Sequence, residues 1–361
     1  MLPQILPKER FHQFVKFLMD GGRGVPASRV YAPVAKTMAQ PTNFAFEAVE
    51  GEQDIDRIRM DYDITILPLK KFFHPQRQEL LSFTGRGPEG IVASVEAEPT
   101  VLLGAHPYDL HGIATLDATF AQNPCDPYYQ ARRGATRLIG MNISRGYINE
   151  HQFMADMDTL EAPAGGYDLF LTDLGDMYFV EVGSDAGQKI IGGAMCTRPA
   201  GSEHYKAKLE FDVRKAGQYP KKLPYDTKYL PELLSASYDS LLWDALARRC
   251  FSCGTCTNVC PTCYCFDVLD KLNIDATSGT RQRMWDSCQL RVFAEVAGGE
   301  NFRETRGTRL RHRMFRKGKY ILERTGRLGC VGCGRCIKHC VATISILEAF
   351  QQIAHQPEDA V

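Results

Sequence analysis

Cys250, Cys253, Cys256 and Cys260 follow the spacing C-x2-C-x2-C-x3-C, with Pro261 immediately after, and Cys330, Cys333, Cys336 and Cys340 repeat that spacing. Thiolates are soft ligands suited to iron or zinc. Two cysteines three residues apart can reach neighbouring irons of a cube. In a run of four with this spacing, three thiolates wrap one 4Fe–4S cluster and the fourth crosses to a second. The pattern therefore predicts one cluster held by Cys250, Cys253, Cys256 and Cys340, and another held by Cys330, Cys333, Cys336 and Cys260. The chain must fold tightly around each cube, and Gly254, Gly332 and Gly334 suit that need because glycine tolerates close approach and positive φ. Val341 stands where the first run has Pro261, which alters the exit of the chain and not the ligand set.

The competing chemistry is a pair of zinc sites with four cysteines each. Such sites show two separated C-x2-C pairs, whereas each ligand run here is continuous, and it occurs twice. Eleven of the 13 cysteines lie between Cys250 and Cys340; Cys125 and Cys196 stand alone. Cys263, Cys265 and Cys288 have two readings: packed thiols beside the clusters, or ligands of a third cluster that would need a fourth ligand from elsewhere. Between the runs, Arg303, Arg306, Arg309, Arg311, Arg313 and Arg316 crowd together. Cations near clusters raise their potentials, and a basic face docks an acidic partner. Binding to nucleic acid is the rival use, but the 43 basic and 43 acidic residues cancel, so no global field recruits a polyanion or an anionic membrane.

The elements that must position these cysteines can be read in outline. Residues 8–20 place Phe11, Phe14, Val15 and Leu18 at helical spacing, and Gly21-Gly22 stops the pattern. Ile64–Leu67, Val101–Leu103 and Leu138–Met141 are apolar runs of strand length. Leu169–Thr172 and Met177–Val182 flank Asp173-Leu174-Gly175-Asp176 and read as a hairpin. Lys206–Tyr229, charged and carrying Pro220 and Pro224, reads as a linker or irregular bridge. Leu230–Leu246 is helical in pattern and leads into the first cysteine run. At 361 residues the chain suggests about two domains. The expected fold class is α+β: a mixed α/β domain over residues 1–235, without a cluster, then a helical two-cluster ferredoxin-like domain over residues 236–361. That second domain carries a long insertion between its cysteine motifs. Met1–Arg10 lacks the apolar core of a signal peptide, and no stretch is long and apolar enough to span a membrane, so a cytoplasmic protein is expected.

Two further signals carry little. Gly85-Arg-Gly87-Pro-Glu-Gly90 matches a dinucleotide-binding string, yet Pro88 lies inside it and Ile91–Val95 reads as a strand. No helix N-terminus would face a pyrophosphate. His106 and His111 read as ordinary polar residues after a strand. No serine–histidine–carboxylate set or paired acid forms a catalytic centre.

At Cys253–Cys265 (Cys-Gly-Thr-Cys-Thr-Asn-Val-Cys-Pro-Thr-Cys-Tyr-Cys), Arg283-Met-Trp285-Asp-Ser-Cys288, Ala297–Arg303 and Cys330–Cys336, the chain resembles the β, iron–sulfur, subunit of soluble NiFe hydrogenases, also called sulfhydrogenases. The A subunit of anaerobic sulfite reductase is similar in layout. Weaker matches, in order, are Pro68–Phe73, Leu103–His106, Asp126–Tyr129 with Arg132-Arg133, and Gly166–Leu169. The resemblance implies a hetero-oligomer with no catalytic centre in this chain. Electrons would pass between an FAD- and NAD(P)-binding, diaphorase-type subunit and a subunit carrying the catalytic metal centre. It also implies cysteines in the N-terminal domain, but Tyr108 occupies the first such position and Ile143, Asn149 and His151 fall near the others. An N-terminal cluster is therefore not expected. Three readings compete with the hydrogenase role: the equivalent subunit of a sulfite reductase or other reductase complex, a redox-sensing or nucleic-acid-binding iron–sulfur protein, and a zinc-stapled structural module.

Overall fold

The structure, a computed structural model, describes residues 2–37, 43–85, 87–143, 149–274 and 276–354. In chain order the strands are β1 (Gln4–Pro7), β2 (Arg29–Ala35), β3 (Phe44–Val49), β4 (Arg77–Thr84), β5 (Ile91–Ala93), β6 (Thr100–Ala105), β7 (Thr136–Met141), β8 (Leu169–Asp173), β9 (Met177–Val182), β10 (Arg198–Pro199), β11 (Phe266–Leu272) and β12 (Ser278–Trp285). They form an eight-stranded sheet ordered β10-β1-β9-β8-β7-β6-β2-β3 and a four-stranded sheet ordered β11-β12-β4-β5.

The larger sheet is parallel at its centre, through β2–β6, β6–β7 and β7–β8, and antiparallel toward both edges. Its central strands are apolar runs because both faces are covered. Successive side chains point to opposite faces. Val101, Leu103, Ile139, Met141, Leu169 and Leu171 enter one core with the helix Phe11–Asp20, while Leu102, Leu138 and Phe170 enter the other with the helix Pro107–Phe120. The β8–β9 hairpin forms with Leu169 opposite Val182.

Three expectations need correction. Ile64–Leu67 forms no strand; Thr65 makes one isolated bridge to Phe44. Its carbonyl and hydroxyl are instead engaged by the Arg335 guanidinium at 2.9 Å each. Lys206–Tyr229 is not irregular throughout, because a helix runs from Ser202 to Gln218. Pro220 and Pro224 lie beyond its end, where a missing N–H does no harm; Glu203, Lys206, Glu210 and Arg214 face solvent, while Phe211 and Lys215 are buried, Lys215 donating to Asn142 Oδ1 at 2.9 Å and pairing with Glu161. Leu230–Leu246 is broken into helices Leu230–Ala236 and Leu242–Ala247. At the break the Ser237 carbonyl accepts the Trp243 indole N–H at 2.6 Å.

The insertion between the cysteine runs is not purely helical. Its first part is the β11–β12 hairpin, and β12 pairs with β4 from Ser278↔Thr84 to Met284↔Arg77. Residues on both sides of position 235 thus share one sheet. Arg283 on β12 is buried, donating to Gln78 Oε1 at 2.7 Å and pairing with Asp126. The rest of the C-terminal region is helical. Leu230, Leu234, Trp243, Leu310, Phe315, Phe350 and neighbours form a third core, against which Cys330 and Cys336 pack. Among the described residues no helix is long and apolar enough to cross a membrane.

The second cysteine run is pinned to the N-terminal half by one buried ion pair. Arg335 is 0% exposed and meets both carboxylate oxygens of Asp109, at 2.7 and 2.8 Å. With Nε on the Thr65 carbonyl, the guanidinium is satisfied on both edges. Removing one partner of such a pair strands a buried charge. Asp109→Ala is therefore expected to cost about 3–5 kcal/mol in anaerobic denaturant unfolding, whereas Lys8→Ala, at the solvent-exposed pair with Asp173, should cost less than about 1 kcal/mol. Equal effects would show that the buried pair has no special weight.

Candidate metal centre

The two cysteine runs adopt the same backbone path. In the first, Ser252 (φ 54°) and Gly254 (φ 79°) precede a single helical turn, Thr255–Asn258; in the second, Gly332 (φ 63°) and Gly334 (φ 76°) precede Arg335–Lys338. The glycines are needed for space as well as for φ. A Cβ on Gly332 would lie 2.6 Å from the Phe153 carbonyl oxygen, and one on Gly334 would lie 2.8 Å from that of His151.

Cys250, Cys253 and Cys256 line one cavity, and the residue that joins them from the second run is Cys340. Cys330, Cys333 and Cys336 line another together with Cys260 from the first run. The first cavity reaches the surface: Cys253 is exposed, and Phe251 and Val341 on its rim are 67% and 76% exposed. The second lies deeper, between Phe153, Val331 and Ile346. Backbone amides already point at sulfur, with Ser252 N–H donating to Cys250 Sγ and Ile344 N–H to Cys340 Sγ, both at 3.3 Å.

Burial pushes the Cys256 and Cys333 thiols up to about 12, and Cys330 is raised for the same reason. Free thiols at these three positions hold their protons, which a strong Lewis acid would displace, whereas Cys260 is pulled down by its hydrogen bond with the Cys263 thiol and by the neighbouring Lys317. Cys253 moves the other way, helped by the Thr255 hydroxyl 3.3 Å away.

Cys263, Cys265 and Cys288 line neither cavity. Cys263 sits against the Cys260 thiol and Cys265 against Cys288. The Cys265 thiol, hydrogen-bonded to Cys288, draws the latter down to about 6. Among the described residues, no set of three or more Cys, His, Asp or Glu is arranged to hold a single metal ion. Cys125 is exposed, and Cys196 belongs to the first core of the large sheet.

Histidines play structural parts. His106 is buried with its ring nitrogens on the Met141 and Tyr62 carbonyls, at 3.0 and 2.9 Å, and stacks on the Tyr62 ring. His111 contacts the Glu161 carbonyl at 3.0 Å. Tyr108 and Ile143 pack with Ile64, Met154, Tyr219, Val331 and Cys333 in an apolar cluster beside the second cavity. The Tyr108 hydroxyl donates to the Asp63 carbonyl at 2.7 Å. Asn149 and His151 lie in the segment covering Gly334, where the Asn149 side chain accepts the His151 N–H. The Gly85–Gly90 string ends in a single helical turn, Pro88–Gly90, and then a strand; Arg86 lies outside the described residues.

Buried cations are the feature that the sequence reading missed. Lys70, Arg313 and Lys317 are 3%, 3% and 1% exposed, and none has a carboxylate partner among the described residues. Lys70 donates to the carbonyls of Thr257 and Cys263 at 3.1 and 2.8 Å, and its ammonium lies 4.1 Å from the Trp285 ring centroid. Burial lowers it to about 8. Lys317 donates to the Thr262 hydroxyl at 2.6 Å. Part of the arginine-rich segment thus turns inward instead of forming a docking face: Arg309 donates to the Gln289 carbonyl and to Ser252, inside the first cysteine loop. The signal was present in the spacing. Arg309, Arg313 and Lys317 recur every four residues and so share one face of a helix. Buried positive charge without acids requires anionic company, and thiolate-bound iron–sulfur clusters, which carry net negative charge, meet that requirement. The donor set and its surroundings fit such a group.

The 4Fe-4S dicluster domain family matches residues 249–344. The chain is 33% identical over 350 residues to "Sulfhydrogenase 2 subunit beta" of Pyrococcus furiosus (strain ATCC 43587 / DSM 3638 / JCM 8422 / Vc1), covering 96% of this chain and 97% of that protein. No solved structure matches.

Gly334→Ala would place a Cβ at φ 76° against the His151 carbonyl. It should destabilise the protein by roughly 2 kcal/mol or more and reduce bound iron after anaerobic purification. Gly298→Ala, in open space at an ordinary φ, should stay within about 0.5 kcal/mol of the parent. Iron content and unfolding midpoints, measured together, check both.

Proposed function

The chain belongs to the sulfhydrogenase beta-subunit family, and from that premise we propose that it is the electron-transfer subunit of a multi-subunit oxidoreductase, with two 4Fe–4S clusters. Cys250, Cys253, Cys256 and Cys340 hold one, and Cys330, Cys333, Cys336 and Cys260 hold the other. When bound, the clusters supply one-electron redox chemistry that bridges two-electron flavin chemistry and a metal centre. Its partners in this reading are a flavin- and NAD(P)-binding subunit and a hydrogenase-type catalytic subunit, in the cytoplasm.

The observation that carries the proposal is the pairing of two thiol sets with buried cations that lack acids. Zinc bound by four thiolates would also be anionic, but it offers no redox step, and the paired four-cysteine runs favour iron. The exposed rim of Cys253, Phe251 and Val341 supports an exchange of electrons with a partner through the first set. The enclosed second set would face the interior of the relay. Cys263, Cys265 and Cys288 serve in this reading as packed thiols beside the clusters.

A second reading, the corresponding subunit of an anaerobic sulfite reductase or other reductase, draws on the apolar packing of Tyr108 and Ile143. That packing supports an N-terminal domain without a cluster of its own, so the relay would differ from the hydrogenase arrangement that the resemblance implies. Subunits that co-purify with the native protein distinguish the two roles.

Anaerobically isolated protein should contain about eight iron and eight labile sulfide per chain; stoichiometric zinc without sulfide defeats the proposal. Cys260→Ala is expected to perturb the cluster built on Cys330, Cys333 and Cys336, seen by electron paramagnetic resonance (EPR) after reduction. Damage confined to the cluster on Cys250, Cys253 and Cys256 would refute the crossed ligation.

A further inference from the structure

We infer that Arg313 is a counter-charge shared by both clusters, setting their reduction potentials together. This rests on the two-cluster reading above and extends it. Arg313 lines both cysteine cavities. It is 3% exposed, its Nε has no hydrogen-bond partner, and the one bond recorded for its side chain is a long donation from Nη1 to Met314 Sδ, at 3.7 Å. A guanidinium has five N–H donors and cannot shed its charge. A buried cation without an anion is strongly disfavoured, so the site is built for negative charge on both sides of the side chain.

Its surroundings place that charge. Cys256 and Cys336, one from each run, line the two cavities on either side of Arg313, and Cys260 lies in the second. Its neighbours on the same helical face are each biased to one side. Arg309 reaches Ser252 in the first loop, and Lys317 lies in the second cavity's wall. Arg313 stands between them and contributes to both walls. A π-helical segment, Arg316–Tyr320, follows directly and carries Lys317 inward; such wide turns recur at functional sites. A fixed cation near a cluster favours its reduced, more negative form, and potential depends on charge and on hydrogen bonds to sulfur. One cation touching two clusters therefore raises both potentials, and adding an electron at either side draws on the same positive charge.

The test is an EPR-monitored redox titration of the full chain, purified anaerobically, as wild type, Arg313→Met and Arg313→Lys. The expected result is a negative shift of both cluster potentials in R313M, with a smaller shift in R313K, which keeps charge but loses the fork. Unchanged potentials in R313M with full iron, or a shift at one cluster alone, overturn the shared role. If R313M holds less iron, wild-type and R313K proteins carrying arginine labelled with 15N in the guanidinium alone decide by pulsed EPR. Nitrogen coupling that is present at both reduced clusters in the wild type and lost at both in R313K is expected, and coupling that R313K leaves unchanged at either cluster overturns the inference. Iron and sulfide content keeps the two failures apart, because a chain that never contains about eight of each rejects the two-cluster reading itself.

Discussion

The cost of burying charge organises this protein. Lys70, Arg313, Lys317 and Arg335 lie almost wholly inside it near the cysteines, and of these four only Arg335 has a carboxylate against it among the described residues. Arg335 is answered by Asp109 and Thr65, so it acts as a bolt between the second cysteine run and the sheet domain. Among the described residues, Lys70, Arg313 and Lys317 have no carboxylate partner; they lie beside the cysteine thiols, with hydrogen bonds to carbonyls, a hydroxyl and a thioether. Neutral acceptors of that kind offset part of a lost hydration shell and leave the charge itself unbalanced. Thiolate-bound clusters supply the missing negative charge, which ties stability of this region to the cofactor that the cysteines are spaced to hold.

That electrostatic demand explains why the two halves of the chain cannot be treated as beads on a string. Lys70 comes from the N-terminal half but points its ammonium at carbonyls of the first cysteine run. Phe153 and His151 press on the glycines of the second run. The β4–β12 pairing then joins residues near 80 to residues near 280 in one sheet. The sheet domain acts as the backing that holds the thiols and cations in register. Preorganised ligands of this sort lower the reorganisation that a change of charge would otherwise require.

Depth then separates the two cysteine sets. The first is capped by a thin rim with Phe251 and Val341 in solvent; the second is enclosed by packed helices and the Tyr108 cluster. Potential responds to burial and hydrogen bonding as well as to charge, so similar ligand sets in dissimilar surroundings need not be equivalent. An outer and an inner set, with a line of cations alongside both, gives two cysteine sets of the same spacing unlike surroundings.

Much of this was legible from the sequence, and what was not has a common cause. The cysteine spacing is a local property, and so are the positive-φ positions at Gly254, Gly332 and Gly334; both could be read directly, as could the β8–β9 hairpin and the strand-length runs of the large sheet. The inward turn of Arg309, Arg313 and Lys317 was hidden because charged residues in a row look alike whether they face water or a cofactor. The helix Ser202–Gln218 was masked by prolines that actually lie beyond its end, and the β11–β12 hairpin by the expectation that the second domain is helical. The sequence by itself determined the cysteine positions and their intervals, and with them the 4Fe-4S dicluster pattern, since these depend on neighbours within a few residues. Only the tertiary structure decided which cations stand beside which thiols and which set lies near solvent, because burial and pairing are set by residues far apart in the chain, 270 positions for Thr65 and Arg335.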